Sequence, residues 1–198
     1  AVREYQGRDL LNTMGIESTW VLDPVFLLSV EDWSRLTDSK KGSYANIMEK
    51  PYLLIYDFEG NSELKAFAIE YAKQRGLKIY AITDKYPLRY ADKNFKKVGP
   101  VDFVRLIANC KAFVSNSFHG TAFSIIYHKP VFVFNRHRHQ VNSRMESLLT
   151  AFNLKDCLLD TKEKKTLAFT KVFDWEKVDS LKNEKMLASE AYLKSLSI

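Results

Sequence analysis

The chain contains few cysteines, and neither of them lies in a metal-binding or redox motif. Cys110 and Cys157 are the only two in 198 residues, and each lies beside an apolar stretch rather than in a C-x-x-C pair. Closely spaced cysteines are what a zinc site or a dithiol redox centre needs, and small secreted domains use many more of them. We therefore expect two buried, reduced thiols and no disulfide.

Long apolar runs are also absent. No stretch approaches the roughly 20 apolar residues that a membrane-spanning helix needs, and the first residues lack the basic, apolar and small-residue regions of a secretory signal. There is no internal repeat and no low-complexity tract. We therefore expect a globular, cytoplasmic protein, and its 46% hydrophobic content is enough to build a core.

The positive charge of the chain is moderate. Thirty Lys and Arg against 24 Asp and Glu give a formal net charge of +6, but segments such as 162–165 and 177–185 carry both signs, as solvated helix faces do. Basic residues crowd without acids only between Arg136 and Arg144. Because so compact a cluster suits a small anion better than a polynucleotide, we expect no nucleic-acid partner.

From Pro51 onward, apolar runs alternate with helical patterns. The predicted strands are 52–56, 77–82, 111–115, 131–134 and a short one at 157–159, and the predicted helices are 62–75, 100–109, 120–127, 142–152 and 175–196. Continuous apolar strands that alternate with helices indicate a parallel sheet buried on both faces. The expected fold class is α/β, a Rossmann-like parallel sheet with helices on both faces.

Before Pro51 the pattern is different. A helix is predicted over 1–15, a short strand at 20–22 and an extended or turn segment at 25–28, followed by a helix start at Ser29 and then polar, linker-like residues. The first helix is preceded by no more than the end of a strand. We therefore expect the chain to be the C-terminal portion of a longer protein.

All four histidines lie between Lys111 and Arg144. His119 follows a predicted strand and a Ser-Asn-Ser turn and precedes Gly120, where a helical pattern begins. Open α/β sheets bind ligands at such strand-to-helix turns, and the start of a helix presents N–H groups to an anion. An imidazole there can act as a general acid or base, or as a cation that holds a phosphate.

A second polar cluster follows the next strand, at 135–139, and a parallel sheet places it at the same edge. We expect these side chains to converge with His119 in an anion site: Ser115, Asn116, Thr121, Arg136, His139 and Arg144. The alternative for each arginine is that it is only a surface charge. His137 and His139 could alternatively bind a metal ion as a pair. Against this, the flanking arginines would repel a cation and no metal motif is present. Asp57 and Asp84 follow strands, and N-cap or turn roles are expected for them.

Several motifs taken together resemble the polysaccharide pyruvyl transferase family over roughly residues 1–155. They are V-R-E-Y-Q-G-R-D-L-L, V-L-D-P-V-F-L-L, G-P-V-D-F-V-R-L-I-A, V-S-N-S-F-H-G-T-A-F-S, K-P-V-F-V-F and N-S-R. The resemblance implies a fold similar to two-domain GT-B glycosyltransferases. It implies transfer of a pyruvyl group from phosphoenolpyruvate to sugar hydroxyls of a polysaccharide or glycan precursor, giving a ketal, with no cofactor and no metal. A lipid-linked acceptor would bring the protein to a membrane surface.

The resemblance also implies roles for particular residues. His119 takes the place of a family histidine that acts at the donor in a motif similar to S-D-R-L-H-G. Ser117 stands where the family has an arginine, so Arg136 or Arg144 would supply that charge. Arg3 matches an arginine that the family uses from the other domain. The expected catalytic residue is His119, and the expected substrate-binding residues are Arg3, Ser115, Asn116, Ser117, Gly120, Thr121, Arg136, His139, Asn142, Ser143 and Arg144.

The domain organisation expected from this resemblance has four parts. They are residues 1–28 as the remnant of an N-terminal Rossmann-like domain, 29–50 as a linker region, 51–160 as a C-terminal Rossmann-like donor-binding domain and 161–198 as a helical tail. The preceding domain would supply the acceptor site, so the chain alone should be inactive. Two other functions stay open: a GT-B glycosyltransferase that uses a sugar nucleotide, and a binding protein with a dead site, suggested by Ser117.

Overall fold

A parallel β-sheet forms the centre of the protein. The structure is a computed structural model, and it describes residues 1–38, 50–84, 86–137 and 142–196. The strands in these ranges are β1 Tyr52–Tyr56, β2 Lys78–Thr83, β3 Lys93–Lys96, β4 Ala112–Ser115 and β5 Val131–Val133. The helices are α1 Tyr5–Thr13, α2 Val30–Asp38, α3 Ser62–Arg75, α4 Pro100–Asn109, α5 Phe118–Ile126, α6 Ser143–Ala151, α7 Lys162–Leu167 and α8 Trp175–Ser195, with short 3-10 turns at Pro24–Leu27 and Lys155–Cys157.

The strand order across the sheet is β3-β2-β1-β4-β5, and every pair is parallel. The chain first builds outward from β1 to β3 and then returns to build β4 and β5 on the other side. Tyr56 pairs with Ser115 at the carboxyl end of β1 and β4. Ligands of open α/β sheets bind beyond such a reversal point, so the crevice beyond these two strands is where a site is expected.

Both faces of the sheet are covered, as the continuous apolar strands predicted. Alternate residues of β1 divide between two cores: Leu54 packs with side chains of α4, α5 and α6, whereas Leu53 and Ile55 pack with α3. Cys110 and Cys157 are buried free thiols whose pKa values are raised by burial. The predicted α/β class and the buried thiols are confirmed.

Four elements differ from the sequence prediction. Strand β3 was not predicted, because only Phe95 of its four residues is buried and no apolar run marks it. The strand predicted at 20–22 is reduced to one bridge between Val2 and Trp20. The segment after it, predicted as extended or a turn, forms the 3-10 turn Pro24–Leu27, since the side chain of Asp23 accepts a hydrogen bond from the Val25 N–H and proline follows at the first position. The strand predicted at 157–159 is reduced to one bridge between Val133 and Leu158.

The first 28 residues pack on the same body as the sheet. The ring of Phe26 stacks on Phe152 with centroids 5.0 Å apart, and the Tyr5 N–H donates to Ser147 Oγ at 3.0 Å. The final helix α8 also contacts this segment, because Ser189 Oγ accepts a 3.0 Å hydrogen bond from the Leu22 N–H. Helix α1 begins at Tyr5 rather than at the first residue, and Val2 instead forms a parallel bridge with Trp20.

None of the helices within the described ranges has both the length and the apolar composition needed to cross a membrane. Of the predicted linker 29–50, residues 30–38 form α2, and residues 39–49 lie outside the described residues. The proposed division of the chain into domains stays a prediction.

Candidate functional site

His119 is the second residue of α5, directly beyond the carboxyl end of β4. Half of its side chain is exposed, with a relative accessibility of 50%. The ring lies where two pockets meet at the carboxyl edge of the sheet, and it lines both of them. This is the open, strand-to-helix placement that the sequence predicted.

Hydroxyl groups hold the turn between β4 and α5 in place. Ser115 Oγ donates to the Tyr56 carbonyl and accepts from the Ser117 N–H at 2.9 Å. Ser117 caps α5 by accepting from the Gly120 N–H at 3.2 Å, and Thr121 Oγ1 donates to the Ser117 carbonyl at 3.0 Å. Ser115 and Thr121 are completely buried and line neither pocket. The geometry therefore gives these two residues a structural place, and their expected substrate contact stays a prediction.

Gly120 is required for packing. A Cβ atom there would lie 2.5 Å from Cε1 of the Phe113 ring, closer than side chains tolerate. The close approach is thus between α5 and β4 rather than between the backbone and a ligand. The first N–H groups of a helix have no intrahelical acceptors. In α5 these include the N–H groups of Phe118 and His119.

The smaller pocket, here called the basic pocket, has a volume of about 180 Å³. The Arg144 guanidinium lies 4.5 Å from the ring centre of Phe118, and the Arg136 guanidinium lies 4.8 Å from that of Phe58. Arg136 Nε is also 3.3 Å from Glu59 Oε1, whereas no carboxylate of the described residues pairs with Arg144. The pocket is lined by Phe58, Asn116, Ser117, Phe118, His119, Phe134, Arg136, Asn142, Arg144 and Met145.

Two amides of the basic pocket hold its backbone. Asn116 Nδ2 donates to Asp57 Oδ1 at 2.9 Å, and its Oδ1 accepts from the Phe58 N–H at 3.1 Å. Asn142 forms two 3.0 Å hydrogen bonds with the backbone N–H and carbonyl of Arg136. Their side-chain amides are therefore engaged in fixing the loops that carry Phe58 and Arg136.

Ser143 and His139 were also expected to bind the substrate. Ser143 Oγ donates to Glu4 Oε2 at 2.6 Å and lines neither pocket. His139 lies outside the described residues, so its predicted contact with the anion site stays a prediction, as does the alternative of a metal pair with His137. Among the residues that the structure describes, no group of three or more His, Cys, Asp or Glu side chains is arranged to hold a metal ion.

Asp23 is a site residue that the sequence reasoning missed. Its side chain is 3% exposed, its Oδ2 forms an ion pair with Arg3, and the same oxygen is 3.7 Å from Nε2 of His119. Burial alone would raise the pKa of Asp23, but the nearby His119 ring, a hydrogen bond from the Val25 N–H and the ion pair with Arg3 together lower it to about 2. Asp23 is thus a buried carboxylate behind the histidine, and Arg3 contacts that carboxylate.

The larger pocket, here called the aromatic cleft, lies on the other side of His119 and has a volume of about 430 Å³. It shares Phe58, Ser117 and His119 with the basic pocket. The cleft is lined by Trp33, Leu36, Tyr56, Phe58, Ile82, Asp84, Val98, Pro100, Val101, Phe103, Val104, Ser117, His119 and Phe123. The site as a whole is therefore one imidazole between a small cationic pocket and a larger apolar one.

The two aspartates that follow strands have different places. Asp57 accepts from the N–H groups of Glu59 and Asn61 at 3.0 and 2.7 Å, which is the predicted turn role. Asp84 instead lies at the rim of the aromatic cleft, where its Oδ2 accepts a 3.1 Å hydrogen bond from the Tyr56 hydroxyl. Burial, and secondarily the Asp84 charge, raise the pKa of Tyr56 to about 12.

The fold is an α/β fold of the GT-B type, and a pocket lined by Arg136 and Arg144 lies at the carboxyl edge of its sheet. The sequence model of the family described as polysaccharide pyruvyl transferase matches residues 1–138, which is more than half of the chain. The chain therefore belongs to the polysaccharide pyruvyl transferase family. No curated protein sequence matches it.

Two solved structures have a similar fold. The UDP-GlcNAc 2-epimerase from Neisseria meningitidis, bound to UDP-GlcNAc, aligns with a TM-score of 0.57 and 15% identity over 98% of this chain and 59% of that one. The UDP-GlcNAc 2-epimerase from Methanocaldococcus jannaschii, in complex with UDP-GlcNAc and UDP, aligns with a TM-score of 0.52 and 15% identity over 81% of this chain and 54% of that one. The chain thus spans less than two thirds of either protein, and at these identities the similarity shows the fold alone.

Proposed function

We propose that the protein transfers a pyruvyl group from phosphoenolpyruvate to two hydroxyls of a saccharide and forms a cyclic ketal. The observation that carries this proposal is the basic pocket, which places His119 beside the guanidinium groups of Arg136 and Arg144. Membership of the pyruvyl transferase family supports the same reaction.

The basic pocket suits a small anion with two charged groups. Phosphoenolpyruvate has a carboxylate and a phosphate, and guanidinium groups bind both with paired hydrogen bonds. The start of α5 adds N–H groups and the positive end of the helix dipole. Ser117 replaces an arginine of the family and uses its hydroxyl to cap α5. In this proposal Arg136 and Arg144, which line the same pocket as Ser117, provide the missing positive charge.

His119 is the proposed proton carrier of the reaction. The two acceptor oxygens form bonds to C2 of the enolpyruvyl group, the bond from C2 to the phosphate oxygen breaks, and the methylene carbon gains one proton. Of the two protons that leave the acceptor hydroxyls, one is the proton gained by the methylene carbon and the other goes to the released phosphate. A positioned histidine can deliver or remove such a proton. Asp23 is a positioning residue that faces Nε2 of the ring from behind.

The alternatives make different demands on the two pockets. A glycosyltransferase would place a sugar diphosphate in the same crevice, and a nucleotide sugar is too large for the basic pocket of about 180 Å³ by itself, so it would also occupy the aromatic cleft. A binding protein with a dead site would use neither the histidine nor the cleft for turnover.

Ketal formation is the direct test. Full-length protein is incubated with phosphoenolpyruvate and methyl glycosides of galactose, glucose and mannose, with phosphate release followed by 31P NMR and the new ketal methyl group by 1H NMR. We expect equal amounts of phosphate and ketal with at least one glycoside, and neither product with His119→Ala. Transfer from a sugar nucleotide with no ketal from phosphoenolpyruvate would contradict the proposal.

A further inference from the structure

The aromatic cleft has a wall of rings that contact one another in series. Trp33 meets Phe123 edge-to-face at 4.9 Å, Phe123 meets Phe103 at 6.3 Å, and Phe103 meets Tyr56 at 5.7 Å. The Trp33 Nε1–H donates to the Val25 carbonyl at 3.0 Å, which fixes the orientation of the indole. This wall is therefore preorganised, and the volume of the cleft lies in the range of small-molecule sites.

The charge of the aromatic cleft is opposite to that of the basic pocket. No lysine or arginine occurs among its described lining residues, and its one carboxylate is Asp84 at the rim. A carboxylate repels a phosphate but accepts hydrogen bonds from hydroxyl groups. The remaining polar lining groups are the Tyr56 hydroxyl, Ser117 and His119. A neutral ligand with hydroxyls along one edge and an apolar face fits this arrangement.

A sugar ring has that shape. Its axial C–H bonds form an apolar face that can lie on the electron-rich faces of aromatic rings, while its hydroxyls project around the rim. Asp84 and His119 both line this cleft, so both are available to hydroxyls of a ligand that lies on the ring wall. His119 and Phe58 also line the basic pocket, so the reacting hydroxyls would meet a donor bound there.

We propose that the aromatic cleft is the saccharide acceptor subsite, with a neutral pyranose on the ring wall and Asp84 as the residue that binds one of its hydroxyls. The assignment of this subsite to the acceptor, rather than to some other saccharide, rests on the proposed function. It differs from the expectation that a preceding domain supplies the acceptor site, because the cleft is built from residues of this chain.

Saturation-transfer NMR on this chain tests the assignment. The probes are methyl β-D-galactopyranoside, methyl β-D-glucopyranoside and methyl α-D-mannopyranoside, each titrated with and without phosphoenolpyruvate, and uridine and UMP are the competitors. We expect saturation of the ring C–H protons of at least one glycoside. Its affinity should fall about fivefold in Asp84→Asn, since a hydrogen bond to a charged group becomes one to a neutral group, and also in Phe103→Leu. Asp9→Asn, an exposed aspartate on α1, is the matched control.

The affinity for phosphoenolpyruvate, measured in the same samples, separates the two proposals. Phosphoenolpyruvate binding with no glycoside binding would overturn the acceptor subsite and leave the proposed function standing. Glycoside binding with no phosphoenolpyruvate binding would overturn the proposed function and with it the assignment as an acceptor. Displacement of the glycoside by UMP, with UMP affinity also reduced in Asp84→Asn, would show a nucleotide site and overturn the subsite.

Discussion

The basic pocket and the aromatic cleft share one wall at His119 but are built in different ways. The basic pocket depends on polar contacts: Asn142 holds the backbone of Arg136, and Glu59 holds its side chain. The aromatic cleft depends on rings that pack edge against face. In the proposed function, charge would decide which ligand enters which pocket, whereas the turn between β4 and α5 would decide where the two ligands meet.

The change with the largest expected effect is at the shared wall. His119→Ala should reduce ketal formation by about 10²-fold or more, the range typical for loss of a general acid or base, while binding of phosphoenolpyruvate changes little because the arginines are intact. Initial rates and binding constants measured together check this.

The control is His128→Gln at the other end of α5, where the ring contacts Asp179 at 3.0 Å and stacks on Trp175. It should keep the wild-type rate. A His119→Ala protein as active as wild type would show that the shared wall is not where the chemistry occurs.

The second change separates the two pockets. Arg144→Ala should weaken phosphoenolpyruvate binding about 10- to 100-fold, as expected for the loss of charge-assisted hydrogen bonds, and should leave glycoside binding in the aromatic cleft unchanged. Arg144→Lys should recover only part of the affinity, because an ammonium lacks the planar fork of the guanidinium. Calorimetric titration measures both ligands. Arg8→Ala on α1 is the control, and equal losses for both ligands would contradict the separation.

The third change disturbs the contact between α5 and β4, beside which the two pockets meet. Gly120→Ala places a Cβ atom 2.5 Å from the Phe113 ring, so we expect a loss of about 1–3 kcal/mol in the free energy of unfolding. Both pockets should lose affinity together. Gly7→Ala is the control, because its nearest contact would be an ordinary 3.8 Å and alanine favours the helix. Urea unfolding at neutral pH measures both, and equal stability of the two variants would refute the packing role.

The smallest effect concerns pH and the support behind His119. The pKa of Asp23 is lowered from 3.8 to about 2 in the folded protein. Its contribution to stability is therefore fully present above about pH 4 and is lost as the pH falls through about 2. Its size should be about 1–2 kcal/mol between pH 6 and pH 2. Asp23→Asn should flatten this part of the stability curve, whereas Asp9→Asn should not; an unchanged slope in Asp23→Asn would contradict the low pKa.

The sequence predicted the parts of this architecture that depend on local pattern. Continuous apolar runs marked β1 and β4, and the polar turn before Gly120 marked His119 as a site residue. Strand β3 could not be predicted, because Phe95 is its one buried residue and no apolar run marks it. Asp23 escaped because its contact with His119 joins segments far apart in sequence, and nothing beside Asp23 indicates that partner.

Which polar residues would face a ligand also could not be predicted. Ser115 and Thr121 belong to the same polar turn as His119, yet both are completely buried, and their hydroxyls donate to the carbonyls of Tyr56 and Ser117. Arg144 and Ser143 are adjacent, yet only Arg144 lines the basic pocket, since Ser143 contacts Glu4. Such choices depend on side-chain directions that arise only when distant segments pack.

The central claim is that the basic pocket binds phosphoenolpyruvate as the donor. Calorimetric titration of this chain with phosphoenolpyruvate, repeated with UDP-GlcNAc present, tests it most directly. The account predicts one saturable site for phosphoenolpyruvate, an affinity that falls in Arg144→Ala, and no competition from UDP-GlcNAc beyond that of equal ionic strength. Saturable binding of UDP-GlcNAc that depends on Arg144, with no binding of phosphoenolpyruvate, would contradict it.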